Sequence, residues 1–429
     1  MSRPLDFFSQ QSGTLVADGV VLEKLVESIG TPVYVYSASA FRESIRALKK
    51  HLDGVNFLIC YAMKANSNLS LLRLLALEGA GADVVSGGEL YRAKKAGIAP
   101  SQVVFSGVGK TDSEIAEALC SGEDGIFSFN VESAEELEVI SSIAKREKKQ
   151  ARIALRFNPD VDPKTHPYIS TGLRKNKFGI DRSEIFSLIK DIRKFENISI
   201  QGISIHIGSQ LLSLSPLKQA FEMLSNLAFE VEALQKKPLL YLDVGGGVGV
   251  SYSKEKPLNL KQYCQLLHKQ FGKNSAHRGR HRILLEPGRL LSANSGILIT
   301  RVLFRKKRKQ KDFLIVDAGM NDLMRPSLYG SHHEIIPLRN TRSSPPLRKT
   351  DIVGPVCESA DCFATGRPMS SNIKRGDLLA ILSAGAYGFT MAGNYNSRPR
   401  PPEILLDQGR IEVIRERESY EDLMRGEKV

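Results

Sequence analysis

No uncharged apolar run in these 429 residues approaches the ~18 or more that a membrane-spanning helix needs, so no membrane association is expected. The opening stretch, MSRPLDFFSQQSG, lacks the apolar core of a signal peptide, and export by that route is not expected. Cysteine is scarce: five residues, at positions 60, 120, 264, 357 and 362, odd in number and scattered. Such a set makes a poor disulfide framework and suits a reducing compartment, which points to the cytoplasm. Neither a CxxC pair nor HExxH occurs, so the common zinc motifs are missing and no metal is expected. What is present is ordinary: 42% apolar and 25% charged residues exclude a disordered chain.

Acidic residues are the minority, 47 against 60 Lys and Arg, for a net charge of +13. That balance invites a nucleic-acid reading. The basic residues are clumped, however, in AKREKK (144–149), RGRHR (278–282) and RKKRKQK (305–311), and none of these runs has interleaved aromatics on which bases could stack. They read as solvated faces and loop tips, and no nucleic-acid partner is expected. A phosphate-bearing or dicarboxylate ligand also suits a basic protein.

From Val33 to Arg289 short β-branched runs alternate with longer helical patterns. Eight runs read as strands: NFLICYA (56–62), ADVVS (82–86), QVVFS (102–106), GIFSF (125–129), ARIALRF (151–157), QGISIHI (201–207), LLYLDV (239–244) and RILLEP (282–287). Their spacing averages about 32 residues, the size of a strand–helix unit in a parallel sheet. Eight such units predict a (β/α)8 barrel over residues 36–290, with a doubly wound open sheet as the alternative. After Leu290 strand patterns follow one another without long helices, which predicts an all-β domain over 291–429. The β-rich first 35 residues, with an Asp18-Gly19 turn, are expected to join it.

In a barrel of this kind chemistry sits where strands end. The unusual residues do cluster there: Lys64 after strand one, Asp83 at the end of strand two, His206 and Ser209 after strand six, Gly245 to Gly249 after strand seven, and Glu286 to Arg289 after strand eight. The glycine run can aim backbone N–H groups at an anion, and phosphate often binds beside strands seven and eight. It does not fit the dinucleotide fingerprint, and Gly107-Val108-Gly109-Lys110-Thr111 lacks the first glycine of a P-loop, reading instead as a strand-to-helix turn. Lys64 either snorkels at the barrel mouth or serves as a Schiff-base amine. A Schiff-base lysine beside a phosphate loop suggests pyridoxal phosphate.

The motifs YAMKAN (61–66), DVVSGGEL (83–90), NPDVDPKTHPYISTG (158–172), NKFGI (176–180), HIGSQ (206–210), EPGR (286–289), DAGMNDLMRPSLYG (317–330), GPVCESAD (354–361) and AGAYGFTMAGNYNSRPRP (384–401) run in order through most of the chain. In these the sequence resembles the diaminopimelate decarboxylases, in the alanine-racemase-like class of pyridoxal-phosphate enzymes. It departs from their pattern at His332-His333, where an aromatic–His pair is expected, at Met391-Ala392-Gly393, and in the basic tract 305–311.

The resemblance implies a set of roles. Lys64 holds pyridoxal 5'-phosphate as a Schiff base, with Asp83 nearby. His206 stacks on the ring, and Glu286 pairs with the pyridinium nitrogen. Ser209, Gly245, Gly246, Gly247, Pro287, Gly288 and Arg289 surround the phosphate, with Tyr387 capping it. Arg289, Arg325, Tyr329, Tyr387 and Glu358 grip the substrate, meso-2,6-diaminopimelate, Glu358 taking its distal ammonium. Cys357 returns a proton to the α-carbon after CO2 leaves, giving L-lysine as the last step of lysine biosynthesis. A cysteine in that setting is more often inert packing, and the flanking motif is what argues otherwise. The resemblance further implies a homodimer with composite sites, Cys357 coming from the partner subunit. Rival readings are a decarboxylase of ornithine, arginine or carboxynorspermidine, or a non-catalytic cofactor-binding homologue. Glu358 after Cys357 and the presence of Lys64 argue against them.

Overall fold

The computed structural model describes residues 4–162, 171–172, 176–339 and 346–428. The middle of the motif at 158–172 therefore lies outside the described residues. The chain forms two units. One comprises Ile45–Val250 and Pro257–Leu290, the other Ser2–Ser44, Ser251–Lys256 and Leu291–Val429.

The first unit is a closed barrel of eight parallel strands: Phe57–Ala62, Gly81–Val84, Val103–Phe105, Ser128–Val131, Ala151–Phe157, Ile198–Ile205, Tyr241–Asp243 and Arg282–Leu285. The eighth pairs with the first, so no edge is left open. Helices follow the strands, and their first residues are chosen for it. Asn68, Ser86 and Ser133 each accept an N–H at a helix start, and Thr111 with Glu114 forms a full capping box. The Gly107–Thr111 segment is thus a strand-to-helix turn ending in that cap.

Inside the barrel Leu58, Cys60, Val104, Ala154, Tyr241 and Leu284 make an apolar layer. Tyr241 spans much of it. At Gly202 a Cβ would fall 2.3 Å from the Tyr241 ring, so only glycine leaves room there. The fourth strand differs from its sequence pattern. Gly125 is in the left-handed region at φ 78°, with the carbonyl of Leu119 2.8 Å from where a Cβ would be. Residues 125–127 consequently stay outside the strand, which runs Ser128–Val131 and carries Asn130 into the barrel.

The second unit is all-β at its heart. In its nine-stranded sheet one path runs Cys362–Ser370, Leu347–Val353, Asp312–Val316, Gly296–Lys306, Val33–Ser37, Glu403–Asp407, Arg410–Arg415, and Leu378–Ile381 also pairs with Gly296–Lys306. A three-stranded sheet, Phe8–Gln11, Thr14–Ala17 and Val20–Val21, turns at Asp18-Gly19 with both residues at positive φ. Its Phe8 and Leu15 pack with Val33, Val35, Ile297, Ile299, Ile404 and Leu406 in one core.

The reading of the basic runs as solvated needs correction at two residues. The side chain of Arg305 is buried, bonded to Asp312 at 2.6 Å and to the carbonyls of Ser370, Ser371 and Ile373. His281 is buried against Glu232 at 2.9 Å. Lys306 to Lys309, at the hairpin tip between two strands, are exposed.

Candidate active site

Strand one ends in a single helical turn, Met63–Ala65, and this turn presents Lys64 at the barrel mouth. Its Nζ lies 2.8 Å from Oδ2 of Asp83, which is fully buried. Around Lys64 opens a cavity of about 310 Å³ lined also by Asn130, Arg156, Ser204, His206 and Glu286.

Glu286 follows strand eight. Its Oε1 accepts from Asn130 Nδ2 at 3.1 Å and from the Ser106 hydroxyl at 3.4 Å. Burial, and then the neighbouring Asp243 and Asp83 carboxyls, push its proton affinity well above the usual carboxylate range. Burial likewise raises Asp243 to about 6. Two acids this close share a proton in preference to ionising together.

His206 lies just past strand six. Its Nδ1 accepts the Gly246 N–H at 3.2 Å, and Glu286 Oε2 is 3.9 Å away. Burial, Arg156 and Lys64 all hold its pKa well below the ordinary imidazole value, so the ring is neutral.

The glycine loop is required by its surroundings. A Cβ on Gly245 would meet the Ile205 carbonyl at 2.4 Å, on Gly246 the Glu286 carbonyl at 2.0 Å, and on Gly247 the Gly208 carbonyl at 2.2 Å. Beside it Arg289, itself buried, reaches the Ser209 hydroxyl from Nη2 at 2.9 Å. The Pro287 carbonyl accepts the Ala62 N–H, and Gly288 packs close against Ala62 and Ala65. Strand eight is thereby fixed to the turn that carries Lys64.

These residues fit pyridoxal phosphate. An amine for its aldehyde, a carboxyl for its ring nitrogen and a backbone cradle with a buried arginine for its phosphate stand around one mouth. Asp83 Oδ1, Asn130 Oδ1 and Ser204 Oγ are buried there without a hydrogen-bond partner among the described residues.

The remaining expected residues lie in the β unit. Arg325 begins the short helix Arg325–Tyr329, is buried, donates from Nη1 to His333 Nε2 at 2.8 Å and stacks over the Tyr252 ring at 4.5 Å. His333 Nδ1 faces the Leu382 carbonyl at 2.8 Å, which fixes Nδ1 as the protonated nitrogen and leaves Nε2 to accept. His332, in the position of the expected aromatic, sits at the surface with Glu334 and Arg367. Cys357 and Glu358 are exposed on one loop. Asp361 holds that loop by accepting the Val356 and Met320 N–H groups, each at 2.7 Å, and Asn396 accepts the Cys357 N–H at 3.0 Å. Tyr387 adopts a positive φ of 55° and is half-buried.

Sequence reasoning missed Asn130, Asp243 and Arg156. Each is a polar residue inside a strand of mostly apolar neighbours. Arg156 forms an ion pair with buried Glu132 at 2.6 Å.

A family model described as the pyridoxal binding domain of pyridoxal-dependent decarboxylases matches residues 38–293. The chain belongs to this family. Among its members, a protein named diaminopimelate decarboxylase from Aquifex aeolicus is 47% identical over 97% of this chain and 96% of its own length. A crystal structure of diaminopimelate decarboxylase from M. jannaschii in co-complex with L-lysine is 36% identical, covers 100% of this chain and 99% of that one, and superposes with a TM-score of 0.93. The Helicobacter pylori enzyme complexed with L-lysine is 45% identical over 94% of this chain and 98% of that one, with a TM-score of 0.88. As a pyridoxal-dependent decarboxylase the chain combines the barrel and all-β units described above.

Proposed function

We propose that the chain decarboxylates meso-2,6-diaminopimelate to L-lysine and CO2, in the cytoplasm, as the last step of lysine biosynthesis. One observation carries this: Lys64, His206 and Glu286 line a single cavity, with the glycine loop bonded to His206 beside it, in a chain 47% identical, nearly end to end, to a protein of that name. All five cysteines are free, which suits a reducing compartment.

Bound pyridoxal phosphate supplies an electron sink for the electrons of the broken Cα–carboxylate bond. The chain's own residues do the rest. Lys64 provides the amine that holds the cofactor, and Asp83 keeps that amine at the mouth. Neutral His206 offers a flat face for a ring. Glu286 faces the ring nitrogen, while Gly245, Gly246, Gly247, Ser209 and Arg289 receive the phosphate and Tyr387 covers it. Arg289, Arg325 and Tyr329 bind substrate carboxylates, since guanidinium groups match them two-pronged. Glu358 accepts the distal ammonium. Cys357 supplies a proton to the α-carbon from the partner subunit of a homodimer; its exposure on the chain supports a place against a second copy.

The test offers the purified protein meso-diaminopimelate, ornithine and arginine with pyridoxal phosphate and measures CO2 and lysine. Lysine and CO2 from the first compound alone support the proposal. Turnover confined to ornithine or arginine would sink it.

A further inference from the structure

Asp243 closes barrel strand seven and is fully buried. A buried carboxylate persists only where donors hold it. Here two do. Oδ1 accepts the Gly245 N–H at 2.9 Å, and Oδ2 accepts Asn130 Nδ2 at 3.1 Å. Asn130 Nδ2 lies equally close, 3.1 Å, to Glu286 Oε1. The Glu286 N–H returns to the Gly245 carbonyl at 2.8 Å. The glycine loop and the Glu286 carboxyl are therefore two arms of one network that meets at Asp243.

We propose that Asp243 is the positioning residue for both ends of the cofactor site: one oxygen aims the glycine loop and the other, through Asn130, fixes Glu286. The proposal rests on the cofactor reading above. It explains why a strand otherwise made of apolar residues ends in an acid. It also explains why that acid is an aspartate, whose two oxygens diverge from a short stem, one to the Gly245 N–H of its own loop and the other to Asn130 of strand four.

The donor pattern gives an isosteric test. In Asp243→Asn one arm must present an NH2 group. Turned to Gly245, it sets donor against donor. Turned to Asn130, it does the same, unless Asn130 flips; its carbonyl oxygen then faces Glu286, which must keep a proton. In the first case the loop loses its hold; in the second Glu286 is locked in its protonated form and can no longer pair as an anion with the ring nitrogen. The measurements are dissociation constants for pyridoxal phosphate and for pyridoxal, by equilibrium dialysis, and the pH dependence of the bound cofactor's visible absorbance. Asp243→Asn should weaken pyridoxal phosphate about tenfold or more, the worth of a hydrogen bond to a charged group, and displace the pH profile. Asn130→Ala keeps the Gly245–Asp243 bond and removes the arm to Glu286 together with Asn130's bond to the Ser106 hydroxyl. It should displace the profile and leave the preference for pyridoxal phosphate over pyridoxal at its wild-type ratio. A folded Asp243→Asn protein with wild-type affinity and profile overturns the proposal. So does an unmoved profile in Asn130→Ala, which decides the matter alone if Asp243→Asn fails to fold. A wild-type protein that binds no pyridoxal phosphate overturns the cofactor reading, and this inference with it.

Discussion

Lys64 is the residue on which the proposed chemistry turns, and its setting sets two expectations. Lys64→Ala should abolish turnover and the visible absorbance of bound cofactor. It also leaves Asp83, buried and formerly paired at 2.8 Å, without its cation. Lys64 is itself partly exposed, so solvent screens the loss and it falls short of the cost of breaking a fully buried pair. A lowered thermal midpoint with retained circular dichroism is therefore expected beside the lost activity. Hydride reduction of the wild type should trap cofactor on the peptide containing Lys64, and label on another lysine refutes the assignment. Glu358 gives a second expectation. It is exposed on the chain, and among the described residues its carboxylate is met only by the Tyr395 hydroxyl, at 3.5 Å. Glu358→Gln should raise KM for meso-diaminopimelate, by up to the ~2–5 kcal/mol of a truncated charge pair, and leave cofactor absorbance alone. Unchanged kinetics would remove Glu358 from the site.

Among the elements, the helix Leu214–Gln235 is fastened to the segment before strand eight by a chain of side chains. Ser225 bonds His277 Nε2 at 2.7 Å, His277 Nδ1 meets His281 Nδ1 at 3.1 Å, and His281 Nε2 meets Glu232 at 2.9 Å. Only one proton can lie between the two imidazoles. Burial first, then His281 and Arg280, hold His277 down at about 4, against the opposing pull of Glu232. In the unfolded chain an imidazole titrates near 6.5, so between about pH 6.5 and 4 the unfolded state binds more protons. The clamp's contribution is complete above that window and lost as pH falls through it. Urea unfolding of wild type and His277→Asn should show a stability gap that narrows from pH 7 to pH 5; a constant gap would exclude the clamp. The same scale shows what patterning can and cannot reveal. A repeat of strand and helix is written in the alternation of residue types, and the site residues that follow strands stand out because loops need no polar residue of that kind. Asn130 and Asp243 sit within strands, where one polar residue looks like a fluctuation in an apolar run. Their meaning appears only when closure brings strands four, seven and eight face to face, and Asn130 was further hidden by Gly125, whose left-handed turn delays its strand by three residues.

For the whole molecule, the proposal places Lys64 and Cys357 of one active site on different chains. Lys64→Ala and Cys357→Ala proteins, each nearly inactive alone, should therefore complement when mixed under subunit exchange. About half the dimers are then mixed, each with one intact site, so about a quarter of all sites recover. Mixtures that stay inactive after exchange has been verified by mass labelling would show that both residues serve from one chain.

Within the β unit, Val33–Ser37 is hydrogen-bonded on one side to Gly296–Lys306 and on the other to Glu403–Asp407. A ribosome makes that strand early and its two neighbours late. Until those neighbours emerge a strand that is buried along its whole length in the folded unit waits with both edges bare, a state prone to pairing with the wrong chain. The sheet closes only once Glu403–Asp407 has emerged, and a chain cut short before Glu403 leaves a sticky edge where a central strand should be.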